Sequence, residues 1–151
     1  MKIVVQRVLS SSVSVEGEET KYIREGLLVF IGFCSNDTED DILWGINKLL
    51  NMKILKDKQG ESNLSTLEKK SDLLIISQFT LFASTKKGNK PSWHKAATSK
   101  LARTLYNQFI NFLQKKYLSK NIKTGFFGKN MQINLTNDGP ITIILDSKNR
   151  I

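Results

Sequence analysis

Apolar positions along the chain change period several times, and each change marks an element. Ile3, Val4 and Val5 lead into Val8, after which Val13 and Val15 alternate with Ser14 and Glu16 and stop at Gly17. Alternation with period two buries one face of an extended chain, so this stretch predicts a β-hairpin. Tyr22 and Ile23 run to Gly26, and Leu27-Leu28-Val29-Phe30-Ile31-Gly32-Phe33 follows without a polar break. A run with no side to offer water predicts a central strand covered on both faces. The period then turns helical. Ile42, Ile46, Leu49 and Leu50 fall at i, i+4, i+7 and i+8 behind a Thr38–Asp41 cap, which predicts a helix ending near Met52.

Ile54 and Leu55 open a short strand that the turn residues Asp57, Lys58 and Gly60 close. A buried strand is expected from Leu73 through Ser77-Gln78-Phe79-Thr80-Leu81-Phe82, followed by a basic loop from Ser84 to Ser92 in which Pro91 favours extended backbone. From about Lys95 to Tyr117, Leu101, Leu105, Phe109, Phe112 and Leu113 recur at spacings that predict a long helix. Alternation at Met131, Ile133 and Leu135, a turn at Asn137-Asp138-Gly139-Pro140 and a strand from Ile141 to Leu145 complete the chain. The order strands, helix, strands, helix, strands predicts one α/β domain over residues 1–151 with a mixed sheet and two main helices.

Charge changes this picture from fold to partner. The net charge is +9, yet no Asp or Glu occurs between Leu73 and Asn137, where ten lysines and Arg103 lie. A face cleared of carboxylates suits a polyanion, because each phosphate it neutralises releases counterions. A solvated lysine-rich surface would give the same composition. With 40% hydrophobic and 25% charged residues and no apolar run near the roughly 18 residues a membrane span needs, a soluble chain is expected. Gln6 and Arg7 interrupt the first apolar stretch before a signal-peptide core could form. The single cysteine, Cys34, sits beside an apolar run, reads as a small buried hydrophobe and excludes an intrachain disulfide. A reducing cytoplasm is the expected compartment.

Chemistry is sparse. One His, one Cys and no spaced carboxylate cluster leave no zinc ligand set, so no metal and no cofactor are expected. His94 is the only imidazole, in a basic loop with no evident triad partner. Neither a Walker A loop nor a dinucleotide fingerprint is present. Two segments resist a purely structural reading. In Ser77-Gln78-Phe79-Thr80-Leu81 a buried strand abruptly takes on polar groups, whose unpaired burial would cost about 1–3 kcal/mol each. They need a ligand, a partner, or the end of the strand facing water. Asn137-Asp138-Gly139-Pro140 alone is ordinary turn punctuation.

Taken together, Ser77-Gln78-Phe79-Thr80-Leu81, the loop Thr85 to Ser92, and the tail Thr124-Gly125-Phe126-Phe127-Gly128 through Met131 to Asn137-Asp138-Gly139-Pro140-Ile141-Thr142 resemble the D-aminoacyl-tRNA deacylase family. Val5-Gln6-Arg7-Val8 and Gly26-Leu27-Leu28-Val29 match it too, so the resemblance spans the chain in order. It implies a layered β/β/α fold, a homodimer, a tRNA partner, no metal, and hydrolysis of the ester of D-aminoacyl-tRNA, with glycine mischarged on tRNA as a further substrate and chiral proofreading as the purpose.

Residue by residue, the resemblance assigns Ser77, Gln78, Phe79 and Thr80 to the catalytic pocket for the terminal adenosine and its acyl group. The backbone N–H groups of Phe79 and Thr80 become candidate oxyanion donors. The Thr80 hydroxyl lacks a base to activate it, and the resemblance implies instead that the ribose 2′-OH of the tRNA helps activate the attacking water. Gly139 and Pro140, with Asn137 beside them, would reach the partner's pocket through a cis Gly-Pro bond and crowd out an L side chain. Phe127, Met131 and Ala102 would line the adenosine side, or simply pack in the core, and Lys86, Lys87 and Lys90 would hold tRNA. Trp93 and His94 depart from the commoner Phe and Ser of relatives, which leaves the contour of that loop open. A tRNA-binding module without catalysis, or an editing relative acting on mischarged L-aminoacyl-tRNA, are the alternatives.

Overall fold

The alternating N-terminal stretch is one long strand rather than a hairpin. In the computed structural model, which describes residues 1–150, strand β1 runs Lys2–Ser14 without a turn. Leu9 to Ser12 offer none of the Gly, Asn or Asp that a tight turn demands. Ser11 stays in the ladder, its hydroxyl donating to the Asn134 carbonyl at 2.9 Å. Ile151, the last residue of the expected domain, lies outside the described residues.

Strand β1 organises the sheet because both its edges are occupied. On one side Lys2 to Val8 pair antiparallel with β3 (Gly26–Gly32) and Ser11 to Val13 with β2 (Lys21–Ile23); on the other, β8 (Gln132–Asp146) pairs along almost its whole length. Parallel pairing continues from β3 to β6 (Asp72–Ser77) and from β6 to β7 (Ile122–Thr124). The far edge curls back toward β2, where Lys21 Nζ donates to the Thr124 carbonyl at 3.0 Å, so the sheet nearly closes on itself.

A curled sheet has an inside and an outside, and the sequence supplies both. Leu27, Val29 and Ile31 of β3 and Leu73 and Ile75 of β6 face one core, with Leu28, Leu74 and Ile76 in a second core shared with Val8, Val13 and Ile23. This is why β3 has no polar position. The first core is covered by helices α1 (Glu39–Asn51) and α3 (Ser99–Lys116), giving a layered mixed α/β domain with two main helices. Thr38 caps α1, its N–H and hydroxyl both donating to the Asp41 carboxylate at 2.8 and 3.0 Å. Phe109 of α3 is fully buried, a side chain whose removal from water contributes about 1.5–3 kcal/mol. A small hairpin, β4 (Leu55–Lys56) with β5 (Ser62–Leu64), and the single turn α2 (Thr66–Lys69) link α1 to β6. No helix among the described residues is long and apolar enough to cross a membrane.

Three other expectations are corrected. Helix α3 begins at Ser99, not near Lys95, because the Ala97 N–H is committed to the Phe33 carbonyl at 2.9 Å and the Thr98 hydroxyl then caps Leu101 N–H at 3.3 Å. Cys34 is half-buried rather than a core hydrophobe; its thiol donates to Asn36 Oδ1 at 2.9 Å, and burial followed by the Asp37 carboxylate pushes its pKa up. Asn137 to Pro140 do not reverse the chain. Gln6 pairs with Thr142 and Val8 with Asn137, so Asp138 to Ile141 bulge out of β8 opposite the single residue Arg7.

That bulge is fastened from behind. Arg7 is 2% exposed, and its guanidinium donates to the Ile54 carbonyl at 2.7 Å, to the Ser62 hydroxyl at 2.8 Å and through Nε to the Asp138 carbonyl at 3.2 Å. The Asp138 carboxylate lies 2.9 Å from Arg7 Nε as an ion pair, the N–H itself being directed at the carbonyl, and takes a hydrogen bond from Lys56 Nζ at 2.8 Å. Lys56 first, with Arg7 assisting against the cost of burial, holds the Asp138 carboxyl below its ordinary range. A carboxyl depressed in the folded state stabilises the fold above its unfolded pKa of about 4 and loses that contribution as pH falls through the folded value. Asp138→Asn should therefore lower stability at neutral pH by about 3 kcal/mol, by leaving Arg7 without its counter-ion. It should also flatten the acid limb of stability against pH relative to wild type, and urea midpoints measured across that range would show an unchanged limb if the carboxylate were idle.

Candidate active site

Where parallel strands end side by side, their last residues diverge and leave a crevice. Strands β3 and β6 both stop at such a point. The Gln78 N–H donates to the Ile31 carbonyl at 2.7 Å, and the chain then leaves the sheet into a 3-10 helix, Phe79–Phe82. The polar break in the sequence is thus the end of β6 at Ser77, not a continuation of the strand to Phe82. Gly32 makes the crossing possible, since a Cβ there would stand 2.6 Å from the Gln78 carbonyl oxygen.

The crevice opens into a cleft of about 580 Å³. Its floor is Ile31, Gly32 and Phe33; one wall is Ser77, Gln78 and Phe79; another is Trp93, Ala96, Ala97, Ser99 and Ala102 at the start of α3; the last is the segment from Phe127 to Met131 with Ile133. Of the residues expected at a site, the structure therefore brings together Ser77, Gln78, Phe79, Ala102, Phe127 and Met131. Thr80 follows directly, and its hydroxyl oxygen accepts a hydrogen bond from Gln78 Nε2. Lys86, Lys87 and Lys90 lie in the exposed loop and do not line the cleft. Neither do Asn137, Gly139 and Pro140, whose bulge is on β8. The Gly139–Pro140 bond is cis and both residues are exposed, while Asn137 accepts from Gln6 Nε2 at 3.4 Å.

Several lining residues were not singled out in the sequence. Trp93 was noted only as a departure, and it packs edge to face against Phe79 with ring centroids 5.3 Å apart. Ala96, Ala97 and Ser99 fall where a helix was expected, so their role as a wall became legible only with the later start of α3. Phe127 serves the cleft and the core at once: Tyr106 lies 5.6 Å from its ring and the Arg103 guanidinium 4.6 Å above it. Met131 does likewise, its sulfur accepting from the Phe126 N–H at 3.3 Å.

The chemical inventory is narrow. Among the described residues, no carboxylate and no imidazole lines the cleft, and the one ionisable lining group, Lys129, is paired with Glu18. His94 is not among the lining residues; its Nδ1 lies 3.0 Å from the Ser92 hydroxyl. Tyr106 donates its hydroxyl to the Ile75 carbonyl at 2.9 Å, and burial raises its pKa far above the ordinary phenol range, which removes it as a base. What remains are backbone donors. Among the described residues, the N–H groups of Phe79 and Thr80, first in the 3-10 helix, make no hydrogen bond. Phe79 lines the cleft and Thr80 follows it, and two free adjacent N–H groups are able to hold one developing negative charge.

Comparison with known proteins gives this geometry its context. Relatives named D-aminoacyl-tRNA deacylase include one from Flavobacterium johnsoniae, 47% identical over 150 residues and covering 99% of both chains, and one from Thermosipho melanesiensis, 46% identical over 148 residues and covering 98% of both. A solved protein called c-Myc DNA Unwinding Element Binding Protein superposes with a TM-score of 0.91 at 40% identity, over 97% of this chain and 98% of that one. Residues 4–146 match the family described as D-Tyr-tRNA(Tyr) deacylase, and the chain belongs to that family.

Proposed function

We propose that this chain hydrolyses the ester joining a D-amino acid, or glycine, to the terminal adenosine of tRNA, releasing free amino acid and tRNA. Membership in a deacylase family supports the reaction. The observation that carries the site assignment is the pair of unpartnered N–H groups at Phe79 and Thr80, next to a cleft that, among the described residues, no carboxylate or imidazole lines. Adenine would lie against Phe127, Met131 and Ala102, with the ester carbonyl turned toward those N–H groups. As water adds, the carbonyl becomes an oxyanion, and fixed donors aimed at it lower the barrier without reorganising.

Activation of the water falls to the substrate. The 2′-OH of the terminal ribose lies beside the ester and can take part in the proton transfer for which the cleft offers no side chain. Thr80 already accepts from Gln78 and has no base beside it, so its hydroxyl positions rather than attacks.

Chirality comes from a second copy. Gly139 and Pro140 stand exposed outside this chain's own cleft, on a bulge that Arg7 and Lys56 hold through Asp138. A homodimer would carry that corner into the neighbouring cleft, where it leaves room for hydrogen but not for an L side chain. Lys86, Lys87 and Lys90, in the stretch free of carboxylates, would meet the phosphates of the tRNA acceptor end in the cytoplasm.

Purified protein is expected to release D-tyrosine from charged tRNA and to act on the L-form at about a hundredth of that rate or less. Equal release of both forms in a deacylation assay sinks the chiral mechanism. Thr80→Ala should keep kcat within about tenfold of wild type, because loss of a general base or nucleophile would cost about 10²–10⁴. Abolished turnover with tRNA binding intact would give that hydroxyl a chemical role.

A further inference from the structure

The loop between the 3-10 helix and α3 is closed at its base by a two-residue bridge. Ser84 and Ser92 exchange N–H to carbonyl hydrogen bonds, both 2.9 Å, so the segment between them stands out as a finger. Gly88 turns its tip at φ +112°, a conformation side-chain-bearing residues rarely adopt. Lys86, Lys87 and Lys90 sit on this finger, all exposed.

Trp93 follows the bridge immediately. The Ser92 hydroxyl and His94 Nδ1 meet at 3.0 Å, and Trp93 between them projects toward Phe79. The two rings form an edge-to-face pair at the lip of the cleft, yet Phe79 remains 53% and Trp93 41% exposed. Large aromatic faces left to water lose the stabilisation that burial would give, and about half of each ring residue stays open in the single chain. The occupant that fits is set by what surrounds them: no carboxylate occurs from Leu73 to Asn137, and three lysines stand on the adjoining finger. An aromatic face next to cations that track a backbone is the arrangement that binds single-stranded nucleic acid, the base stacking while the phosphate is neutralised.

We infer that the Phe79–Trp93 pair is a stacking platform for the nucleotide that precedes the terminal adenosine, with the lysine finger holding its phosphate. This rests on the reading that the cleft takes the terminal adenosine. A cleft of about 580 Å³ is filled by one nucleoside and its acyl group, so the preceding base has to leave at the lip, where the platform stands. Trp93 thereby distinguishes a polynucleotide end from a free aminoacyl nucleoside, and Phe79 contributes its ring to this contact and its N–H to the cleft.

The test compares adenosine with the dinucleotide cytidylyl-adenosine, by isothermal titration calorimetry on the full-length protein, a readout that does not depend on Trp93 itself. Wild type should bind the dinucleotide about tenfold more tightly than adenosine, stacking being worth roughly that factor or more. Trp93→Leu should lose this increment, and Trp93→Phe, which keeps an aromatic face, should retain most of it. In turnover, Trp93→Leu should raise KM for D-tyrosyl-tRNA about tenfold more than for D-tyrosyl-adenosine, with kcat on tRNA little changed. A dinucleotide bound no more tightly than adenosine, or an increment that survives in Trp93→Leu, overturns the platform. Because the binding arm needs no catalysis, a protein that shows the increment but cleaves neither ester keeps the platform and loses the deacylase reading. A protein that binds neither probe loses both.

Discussion

One backbone hydrogen bond, from the Gln78 N–H to the Ile31 carbonyl, fixes the site. It is the last tie between β3 and β6, and past it the chain must leave the sheet. The departure takes the form of a 3-10 helix whose first N–H groups have no carbonyl behind them. Gly32 is required at this crossing because the Gln78 carbonyl occupies the space a Cβ would take. A cleft and a pair of free donors thus arise from the same event, the termination of two parallel strands at one level.

Strand β1 ties that cleft to the bulge at Gly139 and Pro140. Through its edge with β3 it holds the floor of the site, and through its edge with β8 it holds the bulge that presents Gly139 and Pro140. Arg7, buried in the middle of β1, reaches Asp138 on one side and the β4–β5 hairpin on the other. A buried guanidinium is costly unless nearly every donor is used, and here the bulge itself supplies acceptors. The bulge is thereby tied to the sheet behind it, the kind of fastening that the proposed discrimination by clash would need.

The elements with strong periodicity were legible in the sequence. The run Leu27 to Phe33 announces a doubly covered strand, and both of its faces do meet a core. The stripe Ile42, Ile46, Leu49, Leu50 announces α1, whose observed end matches the expected one. Legibility failed where a tertiary hydrogen bond overrides local pattern. Nothing local says that Ala97 will donate to Phe33 and delay α3, or that β6 will stop at Ser77 while the apolar residues Leu81 and Phe82 lie ahead. The Asn137-Asp138-Gly139-Pro140 stretch carries turn chemistry, yet pairing with β1 on both sides keeps it in β8 as a bulge. The polar segment Ser77 to Thr80 was visible as an anomaly, but its meaning came from family resemblance. Trp93 illustrates the remaining gap, because one aromatic in a basic loop carries no period and shows its neighbour Phe79 only in three dimensions.

The central claim is that a D-aminoacyl ester sits with its carbonyl on the Phe79 and Thr80 N–H groups and its chiral centre against Gly139 and Pro140 of a second copy. A crystal structure with a non-hydrolysable amide analogue, 3′-D-tyrosylamino-3′-deoxyadenosine, tests it most directly. The account predicts the analogue in the cleft beside Phe127, its carbonyl oxygen about 3 Å from both N–H groups, and the other protomer's corner closing over the α-carbon. An analogue bound with its carbonyl turned from those donors, or in a cleft that no second copy reaches, would contradict it.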